Sequence, residues 1–319
     1  MTSEKSDATE SASVIEQGSE TKKPPTFVAW ALAARPKTLA AAAAPVIVAL
    51  ALARRDCNGV LELVPAVACF LFAILAQIAA NFINDYADFK KGADGKERKG
   101  PARATASGWI SPRAMLTGVV VTLALACLVG LTTLPYGGLK LVWVGAACCL
   151  FCLLYSVGPS PLSYVGLGDV LVVGFFGFVA VAFTYFLQTK AITWDATLVG
   201  LALGFATDNI LVANNYRDRD EDRANGKNTL IAIFGERFGR YFYLANGLIA
   251  TALLAYVFAR RNDFNAVAIG ALVVYFCLHL RAWRVLASIR QGKALIRALV
   301  LSSKNLIILA VLLAVAFSC

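Results

Sequence analysis

Charge is scarce in this sequence, and histidine is nearly absent. Only 16% of its 319 residues are Asp, Glu, Lys or Arg, while 59% are hydrophobic. A soluble domain of that length cannot hide so much apolar surface, which excludes a soluble globule and points to a polytopic membrane protein. The single histidine, His279, ends an apolar run with no partner ligand near it in sequence. That favours a satisfied structural or interfacial role over a metal site. Six of the eight cysteines (Cys69, Cys127, Cys148, Cys149, Cys152 and Cys277) lie in apolar runs. The CxxC inside "CCLFC" has neither a second pair nor a nearby histidine, so these thiols read as inert small apolar side chains. Residues 1–25 lack any apolar core and are rich in Ser, Thr, Glu and Lys. They read as a disordered polar tail and not as a signal peptide, which leaves 26–319 as the membrane domain.

Acidic residues are also fewer than basic ones, 20 against 30, for a net charge of +10. In a membrane chain a topology signal plus attraction to anionic headgroups accounts for that excess, and no nucleic-acid partner is expected. At about 20 mostly apolar residues per crossing, nine spans are expected, roughly 37–54, 61–83, 114–134, 139–157, 168–188, 193–215, 241–259, 264–281 and 298–318. The first is the weakest, with Trp30, Arg35 and Lys37 as interfacial anchors before it. The N-terminal tail and the loops after the second, sixth and eighth spans hold 23 of the 30 Lys and Arg residues. A bias of that size places the N-terminus and these loops in the cytoplasm and Cys319 on the far side.

What charge there is gathers in two places. "NDYADFKKGAD" (Asn84 to Asp94), followed by "GPARA", closes the second span. "NNYRDRDEDRANGKNTL" (Asn214 to Leu230) closes the sixth. Four spans separate them, so both face the same side. On continuing helices Asp85 and Asp88 share one face, as do Asp218 and Asp222. Like charges at those spacings repel unless a cation lies between them. Carboxylate oxygens suit magnesium, which uses a few of them together with substrate phosphate oxygens. Lys91, Lys96, Arg98, Arg103, Arg217, Arg223 and Lys227 are placed to hold remaining phosphate charge. The alternative is a pair of solvated helix ends whose basic residues only set topology. Acidic residues contribute little to orientation, so topology does not call for the aspartates.

These two motifs resemble the aspartate-rich motifs of the UbiA superfamily of intramembrane prenyltransferases. They are most similar to the 1,4-dihydroxy-2-naphthoate polyprenyltransferase branch of menaquinone synthesis. "ARPKTL", around Arg35 to Leu39, and "GPSPLSYVGLGD" (Gly158 to Asp169) extend the likeness, which spans residues 30–318. In the broad superfamily the first motif carries a further acid four residues on. Here that position is Gly92 and the acid comes at Asp94, a displaced form that matches the naphthoate branch. Ser160 departs from the pattern, since a basic residue is expected between Pro159 and Pro161.

The resemblance implies an all-α fold of nine transmembrane helices around a central cavity, in the bacterial cytoplasmic (inner) membrane with a cytoplasmic mouth. It implies a Mg2+-dependent transfer from a polyprenyl diphosphate to 1,4-dihydroxy-2-naphthoate, in which loss of carbon dioxide and a proton restores aromaticity. Asp85, Asp88, Asp218 and Asp222 would hold the metal, with Asp94 in support. Asn84 and Asn215 would ligate or orient, and Arg103 and Lys227 would contact phosphate. Tyr155, Tyr86 and Tyr216 are the nearest aromatic faces for an allylic cation. Two rival readings are a related transferase acting on another aromatic or a tetrapyrrole, and a secondary transporter. Transporter sites lie near the bilayer midplane, whereas these acids stand at span ends.

Overall fold

The computed structural model describes residues 23–92, 100, 102–289 and 291–318. The expected polar tail therefore lies almost wholly outside the described residues, as do Asp94, Lys96, Arg98 and Cys319. Among the described residues every regular element is helical. A short helix α1 (Thr26–Ala33) leads into α2 (Pro36–Asp56), α3 (Leu63–Lys91), α4 (Pro112–Leu131) and α5 (Lys140–Ser156). They are followed by α6 (Gly168–Thr189), α7 (Trp194–Ala224), α8 (Leu230–Arg260, broken at Gly235), α9 (Ala266–Ser288) and α10 (Ile296–Ala316).

Eight of these helices are long and apolar enough to cross a membrane. The expected count of nine is one too high on that measure. The difference is α5, whose 17 residues fall short because Pro135, Gly137 and Gly138 take the chain through a separate turn before it begins. α5 still reaches from end to end of the bundle. Its Lys140 ammonium lies over the Phe186 ring at the C-terminal end of α6, and its Ser156 meets Asn84 and Lys91 at the C-terminal end of α3.

Helix ends depart from the apolar runs for a physical reason. At 1.5 Å per residue, the 31 residues of α7 extend about 46 Å, well beyond the ~30 Å hydrocarbon layer. Hydropathy stops at the headgroups, but backbone hydrogen bonding continues. α3 and α7 therefore run on through their charged motifs, and α8 begins before its apolar stretch. Local chemistry sets where the helices stop and start. Gly92 takes the left-handed conformation (φ 67°) that closes α3. Ser111, Thr193, Thr229 and Asn265 cap the first turns of α4, α7, α8 and α9.

α7 is the central helix. Of its most apolar stretch 72% is buried inside the protein, against 22% for α4. The main core packs α2, α6, α7, α8, α9 and α10 together, and a smaller one joins α1, α3 and α4. Trp30, partly buried, packs against the smaller core, edge-on to Phe82 with ring centroids 5.2 Å apart. Exposed side chains such as Val120, Leu128, Val311 and Val315 form the apolar outer surface that lipid covers. At the end away from the aspartate motifs, Arg261 pairs with Asp56, Asp195 and Asp263. Tyr185 donates to Asp56 at 2.6 Å. This network ties α2, α6, α7 and α8 together. His279 is buried and stacked on Tyr243, with centroids 5.0 Å apart.

Candidate functional site

A cavity of ≈ 790 Å3 opens between the C-terminal ends of α3 and α7 and continues down the bundle. Its deep walls are apolar, with Phe72, Leu134, Phe175, Phe176, Phe183 and Leu187 among them. Charge is confined to the mouth. Five carboxylates (Asp85, Asp88, Asp218, Glu221 and Asp222) and five cations (Arg35, Lys37, Arg103, Arg217 and Lys227) line it. The two motifs thus meet in one cavity, whose described lining carries charges of both signs in equal number.

Helical phase selects which side chains take part. On α7 the positions 214, 218 and 222 recur every four residues on one face, and Asn214, Asp218 and Asp222 all line the cavity. Asn215, expected from sequence, is one residue out of phase. It is buried away from the cavity, and Asn214 takes its place. The same phase argument removes two expected aromatics. Tyr216 is buried against Arg240 and Tyr86 packs on the smaller core, so of the three tyrosines only Tyr155 lines the cavity. Asp220 points outward, where Gln291 donates to it at 3.3 Å.

Each carboxylate has a different setting. Asp85 is 2% exposed. Its two oxygens accept the backbone N–H groups of Ala104 and Thr105, each at 3.0 Å. It holds the backbone at Ala104 and Thr105 against the end of α3, beside Arg103, which lies 2.7 Å from Asp88. The Arg217 guanidinium chelates Asp218, with Nε 2.6 Å from Oδ1 and Nη2 2.5 Å from Oδ2, and reaches Asn214 Oδ1 at 2.7 Å. Lys227 donates to Asp222 Oδ1 at 3.2 Å, while Asp222 Oδ2 is buried with no hydrogen-bond partner. Asn84 accepts from Arg35 at 2.9 Å and donates to Ser156.

Tyr164 joins the two halves of the mouth, a role that sequence reasoning missed. It lies in the loop between α5 and α6, with the Lys91 ammonium 4.1 Å and the Lys227 ammonium 6.0 Å from its ring centre. Its carbonyl accepts from Asn228 in the second motif's loop. Burial, followed by the Asp88 and Asp222 charges, pushes its phenol up to about 12, so the hydroxyl stays protonated at neutral pH. Cations from α3 and the second motif therefore flank this loop, although Ser160 leaves it without one of its own. The remaining signal is positional, since Tyr164 falls inside the "GPSPLSYVGLGD" stretch.

Among the described residues no three carboxylates, thiols or imidazoles come together as a metal cage. Each of Asp88, Asp218 and Asp222 is instead neutralised by its own cation. The donors nevertheless fit a hard divalent ion shared with a ligand. They are carboxylate oxygens, and Asp222 Oδ2 is buried and lacks a partner. Five carboxylates in the lining of the mouth repel a polyanion unless positive charge offsets them. Magnesium characteristically binds in that way, through one or two carboxylates plus phosphate oxygens.

Comparison with known proteins agrees with this architecture. The UbiA prenyltransferase family matches residues 42–304. A 1,4-dihydroxy-2-naphthoate octaprenyltransferase of Mycobacterium leprae (strain TN) is 34% identical over 266 residues, covering 83% of this chain and 88% of that one. A protein of the same name from Escherichia coli (strain K12) is 35% identical over 236 residues, covering 70% and 75%. Among solved structures, the apo form of a UbiA homolog from Aeropyrum pernix K1 shares the fold, with a TM-score of 0.67 at 15% identity, over 87% of this chain and 97% of that one. A UbiA homolog from Archaeoglobus fulgidus bound to GPP and Mg2+ does so with a TM-score of 0.62 at 14% identity, over 89% and 99%. With its long apolar helices and a mouth built from two aspartate motifs, the chain is an integral membrane protein and belongs to the UbiA prenyltransferase family.

Proposed function

We propose that this enzyme transfers a polyprenyl group from a polyprenyl diphosphate to 1,4-dihydroxy-2-naphthoate, releasing diphosphate and carbon dioxide and giving the demethylmenaquinol of menaquinone synthesis. The observation that carries the reading is one cavity with charges of both signs at its mouth and apolar walls below. A diphosphate with a long hydrocarbon tail needs both parts. The acceptor is argued from the relatives, whose names specify a naphthoate.

Asp88, Asp218 and Asp222 present oxygens at the mouth. Bound there, magnesium supplies the positive charge that stabilises diphosphate as a leaving group. Arg103, Arg217 and Lys227, which now rest on the carboxylates, exchange those partners for phosphate oxygens. Asp85 acts on the loop, holding Arg103 inward, and Asn84 orients Arg35. Below the mouth the apolar wall keeps water from the allylic cation, and the Tyr155 and Tyr164 faces stabilise it. The aromatic ring attacks, and loss of carbon dioxide restores aromaticity.

The test is to supply membranes containing the protein with magnesium, a polyprenyl diphosphate and a panel of hydroxylated aromatic acids. Mass spectrometry should detect a prenylated product from the naphthoate alone, lighter by carbon dioxide. Prenylation of a different acid, with none of the naphthoate, would overturn the acceptor assignment. We propose further that the protein lies in a bacterial inner membrane with its mouth towards the cytoplasm, a side that the basic-residue bias supports. Single cysteines at Lys90 and Asn225 are then labelled only from the cytoplasm and one at Asn262 only from outside. Labelling of all three from one side would break that orientation.

A further inference from the structure

Two carboxylates that take no part in diphosphate binding lie deep in the bundle. Asp208 precedes Asp218 by ten residues on α7, which puts it about 15 Å further from the mouth. Asp208 is 0% exposed, and Asp169, in the first turn of α6, is 4% exposed. α6 and α7 pack closely on either side of them. A Cβ built on Gly168 would lie 3.5 Å from Leu211, and one built on Gly204 would lie 2.9 Å from the Val173 Cα. Asp169 and Asp208 stand level between those two contacts, within electrostatic reach of each other.

Their polar surroundings are incomplete. Asn246 donates to Asp208 Oδ2 at 2.8 Å. Asp208 Oδ1, Asp169 Oδ1 and Thr207 Oγ1 are buried with no hydrogen-bond partner. Two carboxylates that share a low-dielectric site seldom both ionise, so a pair of this kind can hold one proton and take a second. Intramembrane acids are costly, and those retained commonly move protons or ions. The way to the cavity runs through Tyr155. It lines the cavity, its hydroxyl lies 3.4 Å from a Cβ built on Gly168, and it feels the charges of both Asp169 and Asp208.

We infer that Tyr155, Asp169 and Asp208 form a closed proton relay, which takes the acceptor's hydroxyl proton during ring attack and returns it when carbon dioxide leaves. The inference rests on the decarboxylative reading above, with the acceptor entering as its carboxylate. The allylic C–O bond breaks and its electron pair stays on the diphosphate. The ring carbon bearing the carboxylate forms the new C–C bond. The neighbouring hydroxyl loses its proton to the Tyr155 oxygen as its O–H electrons become a carbonyl π bond, and the Tyr155 proton passes to the Asp169–Asp208 pair. The bond to the carboxylate then breaks, and its electrons restore the ring and leave an oxyanion, which recovers the proton by the same path. No proton is gained or lost overall, as suits a cluster sealed from water. Tyr155 is the catalytic group here, and the two aspartates act through it.

The experiment compares Asp208→Asn, Asp169→Asn, Asp208→Glu and Tyr155→Phe in purified protein with magnesium, polyprenyl diphosphate and the naphthoate. Each variant is checked for folding by its thermal transition. The expected result is a kcat about a hundredfold lower in the Asn and Phe variants, with KM for the diphosphate within a few-fold. Diphosphate consumed should partition towards prenyl alcohol, because the cation still forms but the ring attacks poorly. Asp208→Glu should recover part of the rate. A kcat and alcohol fraction like wild type in folded Asn variants would overturn the relay. So would a rate loss that Asp208→Glu fails to relieve. If the aspartate variants do not fold, Tyr155→Phe decides alone, and unchanged kcat and partition sink the idea. Wild-type protein that prenylates only some other acid fails the decarboxylative reading first and takes the relay with it. Normal wild-type turnover beside normal variants removes only the relay.

Discussion

Alanine at Asp88, Asp218 or Asp222 lowers kcat/KM by about a hundredfold or more, by analogy with losing one preorganised contact to developing charge. Excess chelator abolishes turnover, and added magnesium restores it. Each change removes an oxygen donor from the mouth and also strands the cation that the carboxylate held: Arg103, Arg217 or Lys227. Because the groups act as a unit, an Asp88/Asp218 double variant loses far less than the product of the singles. Asp85→Ala behaves differently. It also removes the acceptor for two buried backbone N–H groups, each worth about 1–3 kcal/mol when left unsatisfied, so its thermal transition falls along with its activity. Asp220 points outward, and Asp220→Asn stays within a few-fold of wild type. Kinetics for these variants in detergent at saturating magnesium, with thermal melts, check all of this. An Asp220→Asn as damaging as Asp218→Ala would show the site to be misassigned, as would full activity in chelator.

The sequence exposed the two motifs because charge is otherwise so rare that each one interrupts an apolar run. It also carried the placement of both at one end, since side is a matter of counting spans. Phase within a helix was harder. Asn214 and Asn215 are adjacent and identical in type, and only the four-residue spacing to Asp218 and Asp222 tells that Asn214 faces the cavity. Tyr164 and Asp85 were harder still. Tyr164 acts through a loop whose path depends on Asn228, 64 positions away, and Asp85 spends both oxygens on backbone N–H groups 19 and 20 positions further on. Asp208 stands alone inside an apolar stretch, and nothing in its neighbourhood names its partner. Asp169 becomes visible as that partner only once α6 and α7 are packed.

That packing is itself open to test, because Gly177→Ala should damage both stability and turnover without touching a polar group. A Cβ at residue 177 would lie 2.5 Å from the Gly200 carbonyl oxygen and 2.6 Å from the Gly204 Cα. Both are backbone atoms that no side-chain rotation can move, so α6 must shift away from α7. Overpacking of this kind costs about 1–3 kcal/mol, and the thermal transition should drop by several degrees. The displaced segment is π-helical, Val172–Val179, and it sets Phe175, Phe176 and Val179 on the cavity wall. π-helical turns in longer helices often mark functional sites. With the wall moved, kcat should fall about tenfold or more, since a small misplacement of the bound substrate costs rate steeply. Gly174 supplies the control. It lies in the same turn, and a Cβ there meets nothing within 4 Å, so Gly174→Ala should leave both quantities near wild type. Equal behaviour of the two variants would mean that α6 and α7 are not held at backbone contact. The levelling of Asp169 with Asp208 would then lose its support as well.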